Sequence, residues 1–299
     1  MNCLRPAPLE KGSTIGLIAP ARFCTPELLA TAKNTLETQG FQVVVPQVFM
    51  EPNGQLAGQP QARVAAINSL IHDPGVAALW CVRGGYGTAK TVDQWDWDYL
   101  VQHPKWLIGF SDFTTALNHG VNLGLCTLHA PMPVTFESTV PKALDATVQV
   151  LNSGEFQIEG AAHRFNAVGS VEGPVVGGNL SVLYSLLGSK SFPQLAGAII
   201  LLEDLDEYLY HIDRMAIALQ RSGVLDGLAG VAIGGMTEMN DHDTPWGSTA
   251  EETLKALFEP MNIPVAFGLP FGHQQENYPI VLGQKAYLKI DAHKTLLHS

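Results

Sequence analysis

The sequence predicts an α/β protein: a parallel sheet covered by helices on both faces, followed by a smaller mixed α/β unit. Three observations carry this. Short β-branched or apolar runs alternate repeatedly with segments of helical spacing up to about residue 151, the pattern of strand–helix–strand crossovers. The texture then changes to a polar stretch, 152–171, expected as a linker. Beyond it, strands and helices resume and end in a ribbon of alternating residues. The expected units are therefore 1–151, a linker 152–171, and 172–299.

Residues 13–19 (Ser-Thr-Ile-Gly-Leu-Ile-Ala) read as a buried strand closed by Pro20. Residues 26–38 carry Leu28, Leu29, Ala32 and Leu36 at helical spacing, and Gly40 stops them. A β-branched strand follows at 41–45, then a polar loop at 50–61 with Gly54, Gly58 and Pro60. Residues 62–71 are helical and turn at Asp73-Pro74-Gly75. The strand 76–82 runs into Arg83-Gly84-Gly85-Tyr86-Gly87, and a helical segment spans 89–100. The strand 106–110 ends at Ser111-Asp112, a helix occupies 113–123, and a short strand sits at 126–128. In the second unit Gly177-Gly178-Asn179 leads into a helix at 180–187, and the strand 196–202 ends at Glu203. The helix 208–222 buries Leu209, Ile212, Met215, Ala216 and Leu219 on one face, with Gly223 as its stop. A strand at 231–233, a polar loop at 237–248, a helix at 249–258, a strand at 265–269 and a ribbon at 280–290 around Gly283 complete the chain.

Composition narrows the function. At 46% hydrophobic and 15% charged residues, the 299-residue chain can bury a sizeable core. A net charge of −11 argues against a nucleic-acid or anionic-membrane partner, which calls for basic stripes. No apolar run reaches the roughly 18 residues of a bilayer span, and residues 1–11 lack a signal-peptide core, so a cytoplasmic protein is expected. Cys3, Cys24, Cys81 and Cys126 are far apart with no C-x-x-C pair, so four free thiols are expected, with neither a disulfide nor zinc.

In parallel sheets ligands sit beyond the carboxyl ends of strands, where Arg83–Gly87 and Ser111 both fall. Ser111, at the turn from a buried strand into a helix, reads either as a helix cap or as a nucleophile held proud of the sheet. The pattern G-x-S-x-G is half met: Gly109-Phe110-Ser111 fits, but Phe113 replaces the last glycine. The N–H of Asp112 is the nearest oxyanion donor. Three glycines in Arg83–Gly87 let backbone approach a ligand, and Arg83 could pair with a substrate carboxylate or remain a solvated charge. No nucleotide loop is present, and no cofactor is expected. His273 and His129 follow strands, and Glu203 either opens the next helix or orients a histidine. The loop from Glu238 to Asp243 reads as solvated rather than as metal ligands, given the flanking Thr244-Pro245-Trp246-Gly247.

Taken in order, Gly16–Pro20, Arg83–Gly87, Gly109–Asp112, His129–Met132, Gly177–Leu180, Leu202–Asp204, Asp213-Arg214 and Gly272-His273 with Asn277 resemble the LD-carboxypeptidase family of serine peptidases, relatives of the microcin C immunity peptidases. The resemblance implies an N-terminal flavodoxin-like domain and a smaller C-terminal domain that share a triad: Ser111 as nucleophile, His273 as base, Glu203 as the group orienting it. It also implies oxyanion donors at Asp112 and Gly85 and a homodimer. The chain departs from the family at Phe110, where tyrosine is frequent, and at Ala21, where serine is. The implied activity is release of D-alanine from muramoyl tetrapeptides in cell-wall recycling. The alternatives are a microcin C immunity-type detoxifying peptidase and a catalytically silent small-peptide-binding module. Ser111 and His273 lie 162 positions apart, so only packing between the two units can join them.

Overall fold

The computed structural model describes residues 3–299. In chain order the strands are β1 (Thr14–Ile18), β2 (Gln42–Val44), β3 (Pro52–Asn53), β4 (Leu56–Ala57), β5 (Val76–Cys81), β6 (Trp106–Gly109), β7 (Thr127–His129), β8 (Gln157–Ala161), β9 (Gly169–Asn179), β10 (Ile199–Leu205), β11 (Gly230–Thr237), β12 (Val265–Ala266), β13 (Ile280–Leu282), β14 (Lys285–Ile290) and β15 (Lys294–His298). The helices are α1 (Pro26–Thr38), α2 (Pro60–His72), α3 (Trp97–Gln102), α4 (Thr114–Asn122), α5 (Pro141–Ser153), α6 (Leu180–Ser185), α7 (Leu209–Arg221) and α8 (Ala250–Phe258). The α/β class read from the sequence is the observed one.

The first sheet has the order β13-β7-β6-β5-β1-β2. Its strands from β2 to β7 pair in parallel, and β13 joins β7 antiparallel. This is the doubly wound order, and it reverses direction between β1 and β5, the switch point beside which such sheets bind ligands. The strands are apolar and buried end to end because helices cover both faces: Ile15, Leu17, Ile18, Leu79, Leu107 and Ile108 are fully inaccessible. The second sheet runs β12-β11-β10-β9-β14-β15-β8. Strands β9 to β12 are parallel, and β14, β15 and β8 extend the sheet antiparallel.

Several details differ from the sequence-based expectation: the helix expected at 89–100 is two short turns followed by α3, α5 was not foreseen, and the strand expected at 265–269 stops at Ala266. The stretch 152–171 holds β8 and the start of β9. Its residues 157–161 alternate exposed and buried, as an edge strand with one wet face must, so their polarity mimics a linker. The ribbon expected at 280–290 is cut at Gly283, whose φ is 82°. Its first half, β13, leaves the second unit and pairs with β7, placing Ile280 opposite His129. The loop 50–61 contains the small β3–β4 hairpin. Finally, Cys24 and Cys81 are free and buried, but Cys3 and Cys126 are joined sulfur to sulfur with Cα atoms 5.5 Å apart. The expectation of four free thiols fails there because sequence separation hides what the fold brings together: the segment at Leu4 pairs with Leu125 beside β7.

The sheets share one continuous apolar core. Between them α4 is buried on nearly every face, and its polar residues bind the second sheet directly. Asn118 donates to Gly177 O (2.9 Å) and Thr114 O (2.8 Å) and accepts from Gly177 N–H (2.9 Å). Gly178 must lack a side chain here, since a Cβ would lie 2.7 Å from Thr114 Oγ1. The glycines of Gly177-Gly178-Asn179 therefore let the two sheets close on each other. Among the described residues no helix is long and apolar enough to cross a membrane.

Candidate active site

Ser111, two residues past β6, sits in the left-handed region at φ 60°, where an L-residue other than glycine is strained. The preceding Gly109 makes room for this turn, since a Cβ there would lie 2.9 Å from Phe113 and 3.0 Å from Cys81. The strained turn holds Ser111 Oγ out of the sheet. Its hydrogen bond is to His273 Nε2, at 3.2 Å, and the side chain caps no backbone N–H, so the helix-cap alternative has no bond behind it.

His273 comes from the loop between β12 and β13. Its Nδ1 lies 2.6 Å from Glu203 Oε2, and its backbone N–H donates to the same oxygen at 3.2 Å. Glu203 is fully buried on β10, so its carboxylate faces little but His273. A side chain at Gly272 would collide with Glu203, and the loop turns there with φ 96°. The loop is held further by Asn277, which accepts from Gly272 N–H at 2.9 Å and contacts His129 Nε2 at 3.3 Å. Thr237 Oγ1 donates to His273 O at 2.9 Å.

Electrostatics give the pair opposite shifts. Burial alone pushes the His273 imidazolium toward losing its proton. The Glu203 charge and hydrogen bond, with Asp204 and Glu238 behind, outweigh it and hold the group above its ordinary value. Burial likewise pushes the Glu203 carboxyl up, but His273 by charge and hydrogen bond, then His129, bring it below the usual range. His129 is buried without a carboxylate bond, and desolvation takes it down to about 4, so it is neutral at physiological pH. Asp204 accepts from Asn179 Nδ2, Ser181 N–H and Leu205 N–H, yet burial and the neighbouring Glu203 raise it to about 7.

The glycine loop after β5 closes on this line from the other side. Gly84 abuts Ser111, with space so short that a Cβ would sit 2.8 Å from Oγ. The loop is fastened by Asp112, whose buried carboxylate accepts from Gly87 N–H (3.3 Å), Thr88 N–H (2.9 Å) and Thr88 Oγ1 (2.6 Å). Burial raises the Asp112 carboxyl, partly offset by those bonds. The predicted oxyanion donors, the N–H groups of Gly85 and Asp112, thus lie on the two segments that flank Ser111. Among the described residues neither donates to a protein acceptor. Arg83 is turned elsewhere: its Nη1 donates to Phe23 O at 3.3 Å.

The structure therefore brings together Ser111, His273 and Glu203, with Gly85 and Asp112 beside them. Sequence reading passed over Thr88, Asn118 and Thr114, which hold the loop and the seam. Nothing in their local sequence distinguishes them from ordinary helix polar residues. The loop from Glu238 to Asp243 is solvated, and Asp241 accepts from Trp246 N–H and His242 N–H. Among the described residues no cluster of potential metal ligands occurs.

Such an arrangement can do acyl transfer: a hydroxyl in reach of an imidazole, an imidazole oriented by a buried carboxylate, and free backbone N–H groups nearby. Comparisons with known proteins agree with that chemistry. Residues 15–130 match the model of the LD-carboxypeptidase N-terminal domain and residues 172–288 that of the LD-carboxypeptidase C-terminal domain. A Bacillus subtilis protein named as a probable murein peptide carboxypeptidase is 32% identical, over 94% of this chain and 90% of its own. The microcin C7 self-immunity protein of Escherichia coli is 27% identical, over 95% and 93%. The crystal structure of muramoyltetrapeptide carboxypeptidase from Oxalobacter formigenes superposes with a TM-score of 0.88 at 27% identity, over 95% and 98%.

Proposed function

This chain belongs to the LD-carboxypeptidase family, and from its carboxypeptidase kinship we propose that it is a serine peptidase releasing terminal D-alanine from muramoyl tetrapeptides in peptidoglycan recycling. The observation that carries the proposal is the unbroken line Glu203 Oε2, His273 Nδ1, His273 Nε2, Ser111 Oγ, at 2.6 and 3.2 Å. In this reading Ser111 is the nucleophile, His273 the general base and Glu203 its orienting group.

The cycle follows from the geometry. With Nδ1–H donated to Glu203, the neutral His273 presents Nε2 as an acceptor to the Ser111 hydroxyl. Ser111 Oγ attacks the carbonyl carbon of the L,D-peptide bond as its proton passes to Nε2. The N–H groups of Gly85 and Asp112 receive the oxyanion. The imidazolium, stabilised by the buried carboxylate, gives its proton to the departing D-alanine nitrogen, and the C–N bond breaks. Water then attacks the acyl-serine ester, His273 takes a proton from it, and Ser111 leaves with that proton.

The same proposal includes a cytoplasmic location, a homodimer and a division of labour in which the N-terminal unit brings the nucleophile and the C-terminal unit the base. Its test is incubation with a muramoyl tetrapeptide and measurement of D-alanine release. Wild type should release it and Ser111→Ala should not, whereas undiminished release by Ser111→Ala sinks the mechanism. Labelling of Ser111 by a fluorophosphonate excludes the silent binding module. Similarity to the microcin C7 self-immunity protein favours a second reading, a detoxifying peptidase. A higher kcat/KM on an acyl-sulfamoyl adenylate than on the tetrapeptide would select it.

A further inference from the structure

A carboxypeptidase must recognise the end of its substrate as well as cut beside it, so an anion receptor has to lie close to the nucleophile on the leaving-group side. We propose that Arg22 is that receptor and that it binds the terminal carboxylate of the departing residue; the inference rests on the carboxypeptidase reading above.

Arg22 follows β1, and the Arg83–Gly87 loop follows β5. These two loops flank the switch point of the first sheet, the place where doubly wound sheets bind ligands. The methylenes of Arg22 lie over Gly85 and fill the space that a side chain there would need. Gly84, the next residue back, abuts Ser111 Oγ. The Arg22 side chain thus crosses the residue next to the one that abuts the nucleophile. In the substrate the scissile carbonyl carbon and the terminal carboxylate carbon are three bonds apart, about 4 Å at full stretch. A receptor for that carboxylate therefore has to act within a residue of Ser111, which is where the Arg22 side chain lies.

The charge of Arg22 is uncommitted. Its side chain is half-buried, and among the described residues no carboxylate pairs with it and no acceptor takes its N–H groups. A guanidinium without a protein acceptor, on a side chain packed over the glycine loop, is suited to a bidentate carboxylate. Arg83, the candidate singled out from sequence, spends Nη1 on Phe23 O and keeps a buried Nε without a partner, so it is the rival that the experiment below must separate from Arg22. The opposite rim supports the same orientation. It is formed by the loops after β10 and β11, joined where Asp206 N–H donates to Thr237 O at 3.1 Å. Asp206, Glu238, Asp241 and Asp243 are exposed on those loops, and Asp206 and Glu238 are held with φ of 59° and 52°. The terminal carboxylate is repelled from those acids and attracted to Arg22, so D-alanine lies toward Arg22.

The experiment uses two tetrapeptides that differ only at the end, one with D-alanine and one with D-alaninamide. Wild type should favour the acid. Loss of a charge-assisted hydrogen bond costs about 10- to 100-fold in binding, so Arg22→Gln should cut kcat/KM on the acid by that factor, mainly through KM. The acid-to-amide ratio should fall toward one, and Arg22→Lys should recover part of it. An unchanged ratio in Arg22→Gln, an equal fall on both peptides, or collapse of the ratio in Arg83→Gln alone would overturn the proposal. Calorimetry in a Ser111→Ala background separates it from the mechanism. Acid-selective binding that Arg22→Gln abolishes upholds the receptor even if wild type proves not to use Ser111. Equal binding of acid and amide overturns the receptor while leaving the serine mechanism intact.

Discussion

Replacing Glu203 with glutamine is the sharpest perturbation of the proposed mechanism. Glutamine keeps the volume and one acceptor oxygen but removes the charge. In the native protein Glu203 Oε2 accepts both the Nδ1–H and the backbone N–H of His273, and Oε1 is buried without a donor. All of the carboxylate's hydrogen bonds therefore go to one residue, His273. Removing one partner of a buried charged pair costs about 3–5 kcal/mol. Above the acid limb the resting imidazole is neutral and the imidazolium forms only in the transition state, so there most of that cost falls on the barrier. At 1.36 kcal/mol per decade it corresponds to a loss of about 10²–10⁴ in kcat/KM. The charge also sets where the base titrates. Burial pushes His273 down and Glu203 pulls it up, so the neutral variant lets burial win. D-alanine release by wild type should rise through an acid limb above pH 6.5, and in Glu203→Gln that limb should move to lower pH. A variant within about fivefold of wild type, or a limb that stays or moves upward, would refute the orienting role.

The other predictions concern the supports of the site. Gly84→Ala puts a Cβ 2.8 Å from Ser111 Oγ, so the hydroxyl must turn from His273; kcat should fall about 10²-fold with Tm little changed, and wild-type activity would disprove the close contact. Asn118→Ala strips the seam of its bonds to Gly177, leaving buried backbone groups unpaired, at about 3 kcal/mol and a Tm loss of about 5–10 °C by calorimetry. His129→Gln should leave the acid limb in place, because His129 is already neutral, with a pKa of about 4; a moved limb would make His129 the titrating group. The ion pair also carries a stability window. His273, raised, stabilises fully below its ordinary 6.5 and loses this as pH rises through its folded value; Glu203, lowered, stabilises above its ordinary 4.5 and loses this as pH falls. The Tm gap between wild type and Glu203→Gln should be widest between these two values.

What could be read from the chain follows the range of the forces involved. Alternation of apolar strands and helical spacing is local, so the α/β class was legible. The position of Ser111 just past β6 was legible for the same reason; Glu203 instead lies inside β10 and His273 seven residues past β12, and motif order supplied their grouping. Edge strands were not legible: β8 alternates in burial but is polar enough to pass for a linker. Arg22 stayed hidden because its significance is an absence, a guanidinium with no acceptor, and absences appear only once neighbours are placed. The Cys3–Cys126 pairing was hidden likewise, since the two residues meet only through the bridge of Leu4 to Leu125. The helix expected at 113–123 gave no sign that Thr114 and Asn118 face the second sheet and are buried against it.

The path of β13 explains why a site divided between two sheets holds its geometry. Glu203 lies on a strand of the second sheet and Ser111 just past a strand of the first, and His273 must reach both. The chain leaves His273 and turns through Asn277, whose side chain grips the loop at Gly272 and meets His129. Three residues later Ile280 pairs with His129 itself, on the strand next to β6. The histidine loop is therefore clamped at one end to the first sheet and at the other to the second, where Thr237 holds the His273 carbonyl. A register slip of β13 by one residue would invert its side chains and move the loop along β7. Asn118 and Gly178 act on the same coordinate, since they fix the gap that the loop must span. Stability of the seam and alignment of the base are thus one property of the fold, and substitutions far from Ser111 that loosen the seam are expected to weaken the Ser111–His273 contact before they unfold the chain.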